Sequence, residues 1–373
     1  LNLIETLARL DDHLRKHILK LPSILPIYFY SNGRKLFLKL LENNLNFPVV
    51  LVPEHLKQKL WGIEFRSPIF NAAGMFKAGY GYEMVARQGA GAFLAGTTTS
   101  KKRKGNKKNG VLHPFMPYPT SGAASNWMGL PNESHAVVAS RLAKIVKKAG
   151  CPVGASIAAD SGLSDNEILT GILEGLELYD NANVDFIELN ESCPNVQRHR
   201  SSRSFIDSDI TARLVFISEK FLKKRVRNLP VIVKFSNDID TESIPALIDL
   251  LVDLQFDGIN IGNTSTKYDY YRTKISHTDI KNFDYFTKNF GGGLSGAILR
   301  ENSLEKSKFV AEYIQKKNLQ REFHVIRTGG ISTPIDIIET QKNLVPLCQW
   351  FTAYFDNFAK FGYSVYSELY RWL

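Results

Sequence analysis

From about residue 61 onward, short apolar runs alternate with longer stretches of helical character. The runs are 68–72, 91–96, 152–157, 185–190, 230–235, 257–262, 324–328 and 347–352. Between and after them lie helical stretches near 81–89, 133–149, 164–179, 208–226, 241–253, 302–317, 334–342 and 355–370. Strands that are apolar throughout must be buried on both faces, which implies a parallel sheet covered by helices. Eight such units within about 310 residues predict a (β/α)8 barrel. A doubly wound open sheet is the alternative, and it would want a GxGxxG turn after its first strand. That place holds Ala72-Ala-Gly-Met-Phe-Lys-Ala-Gly79, which lacks the spacing.

Residues 1–60 have a different character and predict a small helical N-terminal extension on a barrel of residues 61–373. Leu36, Phe37, Leu40 and Leu41 recur at helical spacing, with Lys35 and Lys39 between them. Such a face either caps the barrel or lies on a bilayer without crossing it. No apolar run reaches 18 residues, so no spanning helix is expected. No signal peptide is evident either.

Lys and Arg number 47 against 37 Asp and Glu, a net charge of +10 at pH 7. An excess of this size suits an anionic membrane, nucleic acid or an anionic small molecule. No nucleic-acid motif accompanies it, so no nucleic-acid partner is expected. The densest basic run, residues 101–108, reads first as a solvated loop, with anionic lipid or nucleic-acid contact as the sharper alternatives. Cys151, Cys193 and Cys348 are far apart and form no CxxC pair, so neither a metal site nor a redox dithiol is expected.

In such barrels the chemistry sits at the C-terminal ends of the strands. The connections 97–131 and 263–300, after the second and sixth strands, are long enough to suggest function. Lys77 follows the first strand, Thr97 the second and Ser156 ends the third. Asn190, Cys193 and Asn195 close the fourth, and Lys234 lies inside the fifth. Asn263 and Thr264 follow the sixth, Gly329 and Gly330 the seventh, and Thr352 the eighth. Asn126 lies within the second connection. Amides suit the edge of a planar heterocycle, and lysines suit an anion. A glycine pair after strand seven is where barrels commonly hold phosphate. Taken singly, each residue has a plainer reading. Lys234 could snorkel at an edge, Cys193 could be a small buried hydrophobe, and Asn195 after Pro194 could shape a turn.

Taken together, the residues are specific. From about Gly62 to the C-terminus the sequence resembles the dihydroorotate dehydrogenase family of FMN-dependent barrel enzymes. The resemblance is carried by Asn71-Ala-Ala-Gly-Met-Phe-Lys77, Asn126-Trp-Met-Gly-Leu-Pro-Asn132, Leu189-Asn-Glu-Ser-Cys-Pro-Asn195, Val231-Ile-Val-Lys234 and Gly291-Gly-Gly-Leu-Ser-Gly296. It implies oxidation of dihydroorotate to orotate, with a proton passing to a protein base and a hydride to N5 of FMN. It further implies Cys193 as that base. Lys77, Asn126, Asn195, Asn263 and Thr264 become substrate contacts. Ala73, Gly74, Thr97, Ser156, Asn190 and Lys234 become flavin contacts, and Gly296, Gly329, Gly330 and Thr352 the phosphate cradle.

The sequence departs from the family pattern at Phe76, Ser156, Glu191, Gly262 and Gln197-Arg-His-Arg200, which leaves a related pyrimidine-like substrate as the alternative. Cys193 and Met128-Gly-Leu-Pro131 resemble the soluble class. Lys77, Gly96-Thr97 and the extension resemble the membrane-associated class, which reduces quinone. The balance favours a quinone acceptor, peripheral membrane contact through residues 1–45, and a place on the cytoplasmic side of the membrane.

Overall fold

The computed structural model describes residues 2–191 and 208–373. Its centre is an eight-stranded parallel sheet: β1 (Ile69–Asn71), β2 (Phe93–Thr98), β3 (Val153–Ile157), β4 (Phe186–Asn190), β5 (Val231–Phe235), β6 (Gly258–Ile261), β7 (His324–Thr328) and β8 (Leu347–Trp350). From β2 to β8 each strand pairs with its sequence neighbour, and β8 returns to β1 through Cys348 opposite Ile69. Closure between β1 and β2 comes from fewer backbone bonds. The Gly74 amide donates to the Gly96 carbonyl at 2.7 Å and the Gly96 amide to the Phe76 carbonyl at 3.2 Å. The Asn71 side chain supplements them, donating to the Leu94 carbonyl at 2.8 Å and accepting from the Leu94 amide at 3.2 Å. A side-chain amide thus stands in for a ladder rung that buried backbone groups need. The barrel expected from the alternation is the fold observed.

Three apolar clusters hold it together. The largest lies between the strands and the outer helices. A second fills the N-terminal end of the barrel, where Trp61 and Phe65, from a hairpin of Gln58–Leu60 and Ile63–Phe65, pack on Phe70, Phe186 and Ile326. That hairpin straddles the boundary expected near residue 60. The third cluster sits over the opposite end. There the two long connections meet in an antiparallel sheet of Phe115–Tyr118, Ala123–Asn126 and Gly293–Gly296. Tyr118, Phe283, Phe286 and Leu294 form its core, with Ile27 inserted from the extension.

The extension holds two helices, α1 (Leu3–Ile18) and α2 (Ile24–Leu41). Asn2 caps α1 by accepting from the Ile4 amide at 3.0 Å. Arg15 fastens α1 to the helix Thr352–Phe361, pairing with Asp356 at 2.6 Å and with Asp11 at 2.7 Å. The expected apolar face of α2 divides: Leu41 is fully buried, while Leu36 is 61% exposed. Leu3, Leu7, Leu10 and Leu14 form an exposed stripe on α1.

One buried group gives the barrel a pH signature. His135 accepts from, or donates to, Thr98 Oγ1 at 2.8 Å, and its Nε2 is buried without a partner among the described residues. Burial lowers its pKa from 6.5 to about 4. Between those values the unfolded chain binds the extra proton, so stability rises with pH through that window. Acidification from pH 6.5 to pH 4 should remove about 3 kcal/mol. Urea midpoints across that range should show the slope in the native protein and a flatter one in His135→Phe.

Candidate active site

The inward faces of β4 to β8 build a polar layer inside an otherwise apolar barrel. Lys234 of β5 lies opposite Asn190 of β4 and Asn260 of β6. Its ammonium donates to Gln349 Oε1 at 2.9 Å and stands 3.4 Å from the Glu188 carboxylate. Glu188 also accepts from Asn260 at 2.8 Å, Gln349 at 2.8 Å and Ser156 at 3.2 Å. Thr328 closes the ring, donating to Asn260 or Gln349 at 2.9 and 3.0 Å. Burial lowers the Lys234 pKa and Glu188 opposes the shift. A charge pair this deep repays its desolvation only when further hydrogen bonds engage it, as the three neutral donors on the Glu188 carboxylate do here.

Above this layer a chain of side chains follows the rim. Thr97 and Ser156 share a hydrogen bond at 2.9 Å. Asn190 donates to Thr97 at 3.2 Å, and Asn263 donates to Asn190 at 3.4 Å. The Asn263 carbonyl oxygen of the side chain takes the Thr264 amide at 2.8 Å. These bonds fix the amide orientations before any ligand arrives, which is what a preorganised site needs.

A cavity of about 1020 Å³, including its open mouth, occupies the C-terminal end of the barrel. Ala73, Gly74, Lys77, Thr97, Asn126, Asn190, Lys234, Asn263, Thr264, Gly296, Gly329, Gly330 and Thr352 all line it. Of the residues expected there, Ser156 does not reach the lining; it lies behind Thr97, between that hydroxyl and Glu188. Cys193 and Asn195 lie outside the described residues. At Gly296 and Gly330 the backbone has φ of 105° and 75°. A Cβ on Gly296 would collide with the Gly122 carbonyl, and one on Gly330 with the Arg300 backbone. Glycine there keeps backbone N–H groups accessible beside the Thr352 hydroxyl, a cradle suited to phosphate.

The departures from the family pattern have local explanations. Glu191 turns outward to pair with Arg213 of the helix Ser208–Lys220 at 2.8 Å and does not line the cavity. Phe76 packs on Phe93 in the helix layer, with ring centroids 5.5 Å apart. Space beside Gly262 is filled by the Asn237 side chain. The segment 197–200 lies outside the described residues.

Sequence reasoning missed Glu188 and Gln349, which hold Lys234, and Met128, Ser295 and Phe351 in the wall. In the extension, the resemblance to the quinone-reducing class offers Tyr28, Phe29, Leu36, Phe37 and Leu40 as the lining of an apolar tunnel, with plain helix packing as the alternative. Four of these five, all but Tyr28, line a second cavity of about 1200 Å³ between α1, α2 and the barrel. Phe351 and Thr352 line both cavities. The second is mostly apolar, with the buried Tyr30 hydroxyl, Asp11 and Arg15 among its polar members.

Fold and site together define a (β/α)8 barrel with a polar, glycine-edged cavity at its C-terminal mouth, the architecture of a barrel enzyme. The sequence model of the dihydroorotate dehydrogenase family matches residues 55–373, and the chain belongs to that family. It is 28% identical over 298 residues to the dihydroorotate dehydrogenase (quinone) of Nostoc sp., covering 80% of this chain and 74% of that one. The protein of the same name from Nautilia profundicola is 29% identical over 308 residues, with 80% and 74% covered. In three dimensions the chain is similar to the DHODH of Eimeria tenella crystallised with ferulenol. The TM-score is 0.73 at 18% identity, with 91% of this chain and 89% of the other covered. The protein is therefore an oxidoreductase of the dihydroorotate dehydrogenase type.

Proposed function

We propose that this enzyme oxidises dihydroorotate to orotate in pyrimidine synthesis, with FMN in the first cavity and a quinone as acceptor at the second. One observation carries the reading. Lys77, Asn126, Asn263 and Thr264 line the same cavity as Lys234, Asn190 and the glycine cradle, so substrate and cofactor sites are adjacent.

The residues fit FMN. Thr264 Oγ1 is buried and has no partner among the described residues, which leaves it for a ligand. The cradle of Gly296, Gly329, Gly330 and Thr352 would take the phosphate. Lys234, held in place by Glu188 and Gln349, would face the pyrimidine side of the ring system. FMN bound there supplies the hydride acceptor. Asn126 and Asn263 orient the substrate ring through hydrogen bonds, and Lys77 offsets its anionic charge. Cys193 takes the substrate proton; this role rests on the sequence resemblance, since the residue lies outside the described segments.

A quinone fits the second cavity because its walls are apolar and come from α1 and α2, whose exposed leucines suit a lipid surface. No helix among the described residues is long and apolar enough to cross a membrane. Peripheral contact predicts that the protein co-sediments with liposomes, and that Leu10→Glu with Leu14→Glu reduces the bound fraction at least fivefold. Equal binding by both would remove the stripe from that role.

The decisive experiment is an anaerobic titration. The purified protein should be yellow, dihydroorotate should bleach it, and a short-chain quinone should restore the colour. A colourless protein that takes up no FMN would end this reading. Bleaching reversed by fumarate or NAD but not by quinone would move the acceptor to the soluble class.

A further inference from the structure

Three cations gather where α2 meets the substrate end of the first cavity. Arg34 and Lys35 come from α2, and Lys77 follows β1. Arg34 Nη2 lies 3.2 Å from Met128 Sδ, and Lys77 Nζ lies 3.3 Å from the same sulfur. Met128 and Lys77 line the first cavity, whereas Arg34 lines the second. The guanidinium therefore stands in the wall between them, over the face of Phe115 at 5.5 Å.

Among the described residues this charge has no carboxylate partner. Arg34 Nε is buried without a hydrogen-bond partner among the described residues. Burial alone lowers the Arg34 pKa, to about 10, with no acidic group acting on it. It remains a cation at neutral pH. Nearby, His113 is kept neutral: burial pushes its pKa down to about 4, and Lys35, Lys77 and Arg34 add to the shift. A thioether is a weak, uncharged acceptor. Leaving a guanidinium on it costs desolvation that no carboxylate among the described residues repays. Methionine is also the side chain most easily rearranged. The geometry is that of an anion site in which sulfur holds the place of the anion.

We propose that Arg34 is a substrate-binding residue, sharing the carboxylate of an orotate-like anion with Lys77 once the Met128 side chain swings aside. The proposal rests on the substrate reading above and extends it: the N-terminal extension contributes directly to substrate selection. A guanidinium can grip a carboxylate with two parallel hydrogen bonds, which a lysine cannot. The pair of cations would then favour a carboxylated pyrimidine over a neutral one.

The test is orotate binding to the purified flavoenzyme by calorimetry, with uracil as the uncharged comparator. Losing a charge-assisted hydrogen bond of about 2 kcal/mol predicts that Arg34→Gln weakens orotate about 30-fold. Uracil binding should stay unchanged, and Arg34→Lys should fall between. In the native enzyme, orotate should also protect Arg34 from phenylglyoxal, read by peptide mass spectrometry; this arm needs no variant to fold. Orotate affinity in Arg34→Gln within twofold of native overturns the proposal. So does an equal loss for orotate and uracil, which marks a structural role, or an absence of protection. A native enzyme that binds no orotate at all refutes the substrate reading itself, which separates the two failures.

Discussion

Lys234→Met is expected to yield a protein destabilised by about 3–5 kcal/mol, because removing one partner strands a buried charge. The stranded group is Glu188, 1% exposed, whose remaining contacts are neutral amides and a hydroxyl. Those donors stabilise a carboxylate but bring no countercharge. The double variant Glu188→Leu with Lys234→Met removes both charges and should recover much of the loss. If FMN binds as proposed, neither variant should reduce it normally, because the cation proposed to face the ring is gone in both. Urea unfolding measures the first effect, and the rate of anaerobic bleaching by dihydroorotate measures the second. If the double variant is no more stable than the single, the pair is not what holds this layer. If Lys234→Met bleaches at the native rate, the lysine has no part in the chemistry.

The same layer shows where the sequence is legible and where it is not. A lysine inside the apolar run 230–235 is conspicuous, because burial of a charge demands a reason. Glu188, in a run that reads Phe-Ile-Glu-Leu-Asn, raises the same question. A single acidic residue in an apolar run also fits a strand edge, so it is less specific than the asparagine and cysteine beyond it. Period-2 alternation places Glu188 and Asn190 on one face of β4. That face could have been matched with Lys234 once the barrel was assumed. The barrel itself follows from local signals, since each strand and helix declares itself within a dozen residues. The lid sheet does not. Its strands Ala123–Asn126 and Gly293–Gly296 come from connections more than 160 positions apart, and pairing at that range leaves no local trace. Arg34 was invisible for a related reason. Its neighbours in sequence describe an amphipathic helix, and only the docking of α2 against the hairpin at Phe115 brings it to Met128.

Cys193→Ala should leave the protein folded and yellow yet slow its anaerobic bleaching by about 10²–10⁴-fold, the usual span for losing a positioned base. The proton leaving the substrate ring has to reach a group that can hold it, and in this family-like segment the thiol is the one ionisable side chain between Asn190 and Asn195 other than Glu191. Glu191 is engaged outside the cavity by Arg213, so it is poorly placed to substitute. A thiol ionises near pH 8.5, so the native rate should climb as pH rises through that range, and the alanine variant should lose the climb together with the rate. Serine in place of cysteine keeps a proton acceptor of similar size but holds its own proton far more tightly, which predicts a rate between the two at neutral pH. Stopped-flow reduction across pH 6 to 10 reads all three proteins. Native rates in the alanine variant, or an unchanged pH profile, would place the base elsewhere on the rim.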